Sequence, residues 1–551
     1  MNRYSRSILI SFVSGLAAGA LAVAVSLILK ETSGGLFLPE LASQTLFSIT
    51  PGEFESQAVE NFGPLAKYSA FIGAVITNII IFGVLGVLIN KIYQRTTSVL
   101  YLRKVLISFV LSYSVFLIIA LILITVIQSR SGIQILPIPL LAIFLIPSQL
   151  TFALVFSSFK TTKEISQDKF QPKTGKSGES KDIDFSRRDF LRLVVSSSIA
   201  LPIIFLGLNK LFSGQNEGQE EPSSLPNLLP QSGPIPKEFV DPNLKLLLAS
   251  EVTPTYLFYR IDINPIVPQV DAKSWKLMIK GFVDNPLTID YDQIRSFASI
   301  EEYVTLECIS NKIGGDLIGN ALWKGVPLKD LLEKAGVRPE AKYLVFRCSD
   351  GYDVGIPLER SLMDGSILAY DMNSAPLTAK HGFPVRAIVP GLYGMMNPKW
   401  LTEIELVDSV YEGYWQRLGW SNIAEDNTGS SIVIPGEAPV RQRFRKLDET
   451  NPASYGNKIP VAGIAFAGNR GITKVEVSTD GGSTWKSATI KDPLSKYTWV
   501  LWTAGYLPPD NENYKIVVRA TDKNGKVQTS EIRPPFPDGA TGLHHIDFAR
   551  V

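Results

Sequence analysis

The sequence predicts three architectures in series: an all-α transmembrane bundle, a globular region of mixed strands and loops, and a C-terminal β-sandwich. Three observations predict them. Four apolar segments of membrane length crowd the first 160 residues, and strands separated by polar loops follow from about Asp241. Short alternating strands joined at Asp480-Gly481-Gly482 and Asn524-Gly525 then run from Pro460 to Val551. The 551 residues call for several domains, and 45% hydrophobic content with a mean hydropathy of +0.14 is high for a wholly soluble chain. A formal net charge of +2 gives no global electrostatic case for nucleic acid. Two cysteines exclude a disulfide scaffold and a clustered iron–sulfur ligand set.

The apolar segments are Ile8 to Leu29, Ser69 to Ile89, Val105 to Ile127 and Ile135 to Phe156, each long enough to cross a bilayer. Neighbouring helices accommodate the prolines at 137, 139 and 147 in the last of them. Arg3 and Arg6, then Lys91, Arg95, Arg103 and Lys104, then the stretch from Lys160 to Lys181 mark the cytoplasmic side by the positive-inside rule. The acidic-leaning loop from Glu31 to Lys67 is expected on the other side. Ser186-Arg187-Arg188-Asp189-Phe190-Leu191-Arg192 followed by an apolar run to Phe212 reads as a twin-arginine export signal kept as an anchor, or as the flank of a fifth membrane helix. The expected domains are residues 1–160, the bundle; 161–192, a cytoplasmic linker; 193–213, the fifth helix or anchor; 214–240, a flexible linker; 241–435, the central domain; and 436–551, the sandwich.

The central domain is organised around Tyr303 to Leu328. Tyr303-Val304-Thr305-Leu306 reads as a buried strand ending at Cys308, and a glycine-rich polar loop from Ser310 to Asn320 follows before Trp323 restarts regular structure. A thiol at such a loop mouth suits a transition metal. It also suits a small buried hydrophobe, or a disulfide with Cys348. A second dense stretch, Asn373 to Trp400, holds His381-Gly-Phe-Pro-Val-Arg386 and Lys399. Clustered cations with exposed amides meet the demands of a phosphate.

From about Leu257 to its end, the chain resembles the sulfite oxidase family of molybdenum enzymes, on the strand-Cys-loop-W-x-G-V-P-L run of Thr305 to Leu328 and the H-G-F-P-x-R…V-P-G…K-W run of His381 to Trp400. The resemblance implies an α+β sulfite-oxidase-type molybdopterin domain, then an immunoglobulin-like β-sandwich used for dimerisation. It implies a Cys308 thiolate on molybdenum, with two further sulfurs from one molybdopterin. Phe258, Tyr259, Arg260, Asp262, Asp350, His381, Arg386, Asn397, Pro398 and Lys399 are the implied cofactor contacts, the asparagine and proline through backbone. Lys312 and Arg260 are the expected contacts to a substrate anion.

Two departures bear on substrate. Lys312 stands where sulfite-oxidising members carry an arginine, and Trp420 near their tyrosine, so the planar fork and a hydroxyl are lost and both changes count against sulfite. The implied activity is oxygen-atom transfer outside the cytoplasmic membrane on a small oxyanion or S-oxide. A sulfoxide-type reductase and a non-catalytic exported binding module are the alternatives. None of the three histidines lies in an apolar segment, so no haem is expected in this chain, and electrons would pass to a separate cytochrome or quinone-linked carrier.

Overall fold

A 31-residue helix is about 46 Å long, well beyond the hydrocarbon core of a bilayer. Three such helices form at the front of the chain: α1 (Arg3–Ser33), α4 (Leu65–Arg95) and α5 (Tyr101–Ser131). A 21-residue helix, α6 (Ile138–Ser158), carries Pro147 in its interior. Between α1 and α4 lie α2 (Leu38–Ile49) and α3 (Gly52–Phe62). The four long helices are each apolar and long enough to span a membrane, over Ser7–Lys30, Ala66–Arg95, Tyr101–Arg130 and Pro139–Ser158, in agreement with the expected segments.

This computed structural model describes residues 3–33, 35–62, 65–95, 100–131, 138–159, 195, 198–206, 235–264, 266–435, 459–507 and 513–549. The twin-arginine stretch, the cytoplasmic linker and most of the linker before Asp241 lie outside the described residues. Of the expected fifth helix, residues 198–206 are described and helical. The chain divides into two compact units: Met1–Ile49 with Leu65–Gln215 and Asn264–Ile266, and Thr50–Pro64 with Asn216–Ile263 and Val267–Val551. The short helix α3 therefore belongs with the C-terminal unit, although its sequence lies between two membrane-length helices.

In the first unit, glycines bring α1 and α4 into close approach, as small residues do for helices in lipid. A methyl group on Gly15 would lie 2.5 Å from the Phe82 carbonyl oxygen, and one on Gly86 would lie 2.6 Å from that of Ser11. Asn90 Nδ2 donates to Ser11 Oγ at 2.7 Å across the same seam. Phe82 fills the centre with Phe116 and Phe152 at ring distances of 4.4 and 4.7 Å.

Three layers of strands make up the second unit. One five-stranded sheet has the order β2 (Leu287–Asp290), β1 (Lys276–Gly281), β10 (Leu401–Val407), β5 (Tyr343–Cys348), β6 (Asp353–Pro357). In it β1 and β10 run parallel and the other pairs antiparallel. A second sheet runs β3 (Ile300–Glu307), β4 (Ile318–Pro327), β7 (Ile367–Met372), β8 (Ala375–Pro376), with β9 (Arg386–Ile388) on β7. The helix Leu328–Ala335 buries one leucine-rich face and stops at Gly336, whose φ of +67° suits a residue without Cβ. β4 starts five residues before the expected restart at Trp323. Gly319 pairs with Leu306 and Asn320 with Thr305, because Gly319 admits the Phe258 ring and the Asn320 amide finds the Glu251 carbonyl at 2.8 Å.

The third layer is a pair of antiparallel sheets, β11 (Gly429–Ile434), β12 (Pro460–Phe466), β16 (Val500–Tyr506), β15 (Thr489–Ile490), and β14 (Lys486–Ser487), β13 (Ile472–Ser478), β17 (Asn513–Asp522), β18 (His545–Ala549). Ile432, Val461 and Trp502 from one sheet and Val475, Ile516 and Val518 from the other share one apolar core. Because β11 pairs with β12, Gly429–Ile434 belongs with this layer rather than with the central domain expected to run to residue 435. Its loop at 495–499 reaches the free edge of β3: Ser495 Oγ donates to the Tyr303 carbonyl at 2.6 Å, Thr305 N to the Tyr497 carbonyl at 3.1 Å, and Trp499 N to Thr305 Oγ1 at 3.0 Å. A buried Lys491–Glu251 ion pair at 2.8 Å stands beside this junction.

Replacing Gly86 by valine should force α1 and α4 apart and cost about 1–3 kcal/mol. Gly73→Val, where a side chain meets nothing within 4 Å, should cost far less. Thermal melts of the full chain in detergent check the pair.

Candidate active site

Cys308 follows β3 directly, and its N–H donates to the Leu317 carbonyl at 2.8 Å while its carbonyl accepts from Asn311 N at 2.9 Å. The loop is thus pinned at both flanks, and Sγ sits 3.0 Å from Ser310 Oγ, buried at 8% exposure. Both cysteines are free thiols, which removes the disulfide alternative. The thiol opens into a cleft with about 900 Å³ of atom-free space, counting its open mouth, the size of a cofactor site.

The opposite wall comes from the stretch between β8 and β10. His381 Nε2 lies 2.9 Å from the Thr255 carbonyl, which accepts only, so Nε2 carries the proton and Nδ1 is the ring's acceptor. Burial, then the charges of Lys399 and Arg386, lowers its pKa to about 3 and keeps the ring neutral. Arg386 spends two amino groups on the carbonyls of His381 (3.2 Å) and Asn397 (3.0 Å) and lies over the Trp323 ring at 4.9 Å. Among the described residues its buried Nε has no hydrogen-bond partner. Burial lowers the guanidinium to about 10, which leaves it cationic at neutral pH.

Asp262 joins two cations. Its Oδ2 forms an ion pair with Arg260 Nε at 2.9 Å, and its Oδ1 pairs with the Lys399 ammonium. Burial, partly offset by Asp262, brings Lys399 down to about 8. Burial pushes the Asp350 carboxyl in the same cleft up to about 7, against the pull of the Tyr352 N–H, which it accepts at 3.0 Å. The segment that carries Phe258 to Asp262 is threaded along β4 and β7: Thr253 N donates to the Asn320 carbonyl at 2.7 Å, and Asn373 Nδ2 to the Thr253 carbonyl at 3.0 Å. Phe258 then stacks on Tyr259 at 5.4 Å and meets the His381 ring edge-on at 5.8 Å.

Residues 264–415 match the oxidoreductase molybdopterin binding domain, and residues 427–533 the Mo-co oxidoreductase dimerisation domain. The oxidoreductase YuiH of Bacillus subtilis is 35% identical over 150 residues, 27% of this chain and 74% of that protein. The chain belongs to the sulfite oxidase family of molybdopterin-dependent oxidoreductases. Sulfite oxidase of Arabidopsis thaliana is 28% identical over 370 residues, covering 58% of this chain and 92% of that one. Mitochondrial sulfite oxidase of Rattus norvegicus is 28% identical over 330 residues, 53% of this chain and 60% of that one, so the chain spans little more than half of some curated relatives.

The family's cofactor is molybdopterin with molybdenum, and the donor set fits it. A soft thiol, a guanidinium with an orphaned N–H, an ammonium and a neutral imidazole converge on one cleft. Of the residues expected there, Phe258, Tyr259, Asp262, Cys308, Asp350, His381, Arg386, Asn397, Pro398 and Lys399 all line it. The backbone of Asn397 and Pro398 is already engaged, accepting from Arg386 and from Ala387 N, so these two hold the cradle in shape. Arg260 does not line the cleft and acts behind Asp262.

Lys312 goes elsewhere. The turn closed by Gly315 N on the Lys312 carbonyl at 2.8 Å carries it to a separate cavity lined also by Glu307, Tyr393 and Asn427. Sequence reasoning missed Tyr352, Trp415, Glu55 and Ser56, which complete the cleft. The Y-W-Q-R run before Trp420 was a usable signal for Trp415. Nothing near Glu55 in sequence points to a site.

Arg386→Lys cannot serve two carbonyls and still present a third N–H, and should lower bound molybdenum and pterin roughly tenfold, read by elemental analysis and pterin fluorescence. The pH response follows from the neutral histidine. Its folded value lies below its unfolded 6.5, so stability is complete above pH 6.5 and is lost as pH falls toward about 3. Half-buried His544, lowered to about 4 chiefly by desolvation, adds to the same loss. Asp350, raised from 3.8 to about 7, works in the opposite sense in either protein, so the check is the difference: between pH 6.5 and 4 wild type should lose several degrees of melting temperature relative to His381→Gln.

Proposed function

We propose that this chain is a membrane-anchored molybdenum oxidoreductase that transfers an oxygen atom to or from a small molecule, with its catalytic domain outside the cytoplasmic membrane. The observation that carries the reading is Cys308 at the end of a clamped strand, facing His381, Arg386 and Lys399 across one cleft. When bound, the cofactor would supply two-electron oxygen-atom chemistry at molybdenum. Cys308 would give the metal its protein sulfur. Arg386 Nε and Lys399 would hold the phosphate and pterin, and His381 Nδ1 would accept from a ring N–H.

Asp350 and Lys399, with pKa values near 7 and 8, are the groups in the cleft suited to hold or release a proton near neutrality. Trp415 and Trp420 add aromatic surface to the lining of the same cleft. The location is supported by the loop holding α3, which belongs to the same compact unit as the catalytic fold while the lysines and arginines gather in the other inter-helix stretches. The match to a dimerisation domain supports a homodimer, and its two sheets around one core support an immunoglobulin-like sandwich. A separate one-electron carrier would complete the cycle.

Cys308→Ser should abolish dye-linked turnover with sulfite and with sulfoxides while the protein stays folded. Wild type should hold about one molybdenum per chain, as one thiolate serves one metal. Wild type free of molybdenum after expression in a cofactor-competent host would sink the reading, and the dye assay on loaded wild type decides the direction of oxygen transfer.

A further inference from the structure

Helix α2 ends at Ile49 and α4 starts at Leu65, and residues 50–64 between them belong to the compact unit that holds the catalytic fold. Eleven of these residues form α3. Its Glu55 and Ser56, at 4% and 3% exposure, line the cleft that also holds Cys308, His381, Arg386 and Lys399. Glu53, Phe54 and Gln57 of the same helix are exposed.

Gly52, Trp420 and Phe536 seat the helix. A methyl group on Gly52 would lie 2.4 Å from Phe536 Cε2 and 3.2 Å from Trp420 Nε1, so the first residue of α3 rests on both rings with no room for a side chain. The rings are themselves locked. Trp420 meets Phe536 edge-on at 5.2 Å and Trp415 at 6.3 Å, and Ser421 N donates to the Pro537 carbonyl at 3.2 Å. All three seat residues lie outside residues 264–415 and 427–533, which match the two domain families, so the seat is this chain's own.

A molecule that fills the cleft lies against α3 on one wall and against the thiol and the cations on the others. It makes contacts with the seated helix that an unseated helix lacks, so occupancy and seating stabilise each other by the same factor. The helix is tied into the chain at both ends, and it therefore reseats as an intramolecular step, at an effective concentration that a separate protein would not reach. We propose that α3 is a tethered cover of the cofactor cleft: its seating on Trp420 and Phe536 slows the escape of the bound molybdenum cofactor, and the filled cleft in turn holds the helix seated. This rests on the cofactor assignment and gives the loop between two membrane-length helices a part in cofactor retention.

Phe54 and Phe62, at 62% and 63% exposure, supply the readout. A protease cuts a helix only where it opens, so chymotryptic cleavage after these residues tracks the unseated population. The full-length chain in detergent is compared as made with the cofactor and as made in a host that cannot synthesise it. Cuts in α3, located by mass spectrometry, are scaled to cuts in the C-terminal layer. Loaded protein should be cut in α3 about tenfold more slowly than empty protein. Gly52→Val should unseat the helix, raising cleavage in α3 and speeding loss of molybdenum on dialysis against a chelator, each roughly tenfold. Gly73→Val, where a side chain meets nothing within 4 Å, should change neither. Equal cleavage of loaded and empty wild type overturns the proposal, as does a Gly52→Val protein that keeps its molybdenum as long as wild type. If Gly52→Val does not fold, the wild-type comparison decides alone. Molybdenum is assayed on every sample: wild type without it fails the cofactor assignment and the cover together, whereas molybdenum present with equal cleavage fails the cover alone.

Discussion

The clamping of β3 on both edges is the constraint on which the site depends. A strand that ended in an open edge could slip by a residue, and a one-residue slip would turn Cys308 to the wrong face. Here β4 holds one edge in register from Ile300 to Glu307, and the 495–499 loop of the C-terminal layer holds the other through Tyr303 and Thr305. Trp323, buried under this sheet, donates to the Val304 carbonyl at 3.1 Å and supports the Arg386 guanidinium on its ring. The same tryptophan therefore fixes the strand behind the thiol and the cation across from it.

Charge is distributed in the cleft so that few groups are left to chance. Asp262 offsets two cations at once, which lets Lys399 remain buried without a full desolvation penalty. His381 avoids the penalty by staying neutral, and Asp350 eases it by titrating near neutrality. Arg386 Nε is a buried donor without a hydrogen-bond partner among the described residues, as is Trp420 Nε1 of the same cleft, and a buried N–H of this kind has a place kept for an acceptor.

Much of this was legible in the sequence because it is local. The strand into Cys308 has its β-branched pattern, the His381-to-Lys399 stretch packs its cations within one motif, and the four apolar segments need only counting. What was not legible depends on chain reversals. Lys312 follows Cys308 by four residues, yet a turn at Gly315 takes it to a different cavity. Gly319 and Asn320 read as loop residues, but pairing with β3 and contacts to Phe258 and Glu251 make them strand. Glu55 carries no local signal at all: Trp420 and Phe536, the rings against Gly52 of its helix, lie hundreds of residues away, and that proximity is a property of the fold alone.

The reach of the 495–499 loop back to β3 spans 192 residues between Ser495 and Tyr303. A ribosome that has finished the whole molybdopterin domain has still not made the residues that close the far edge of the strand bearing the thiol. Until translation passes Trp499, Tyr303 and Thr305 have no partners on that edge and the loop with Cys308 hangs from a one-sided strand. The strand that bears the thiol is thus closed on both edges only in a polypeptide that includes the final layer, and a premature stop there leaves it one-sided although the residues of the cleft described above from β3 to Trp420 are all present.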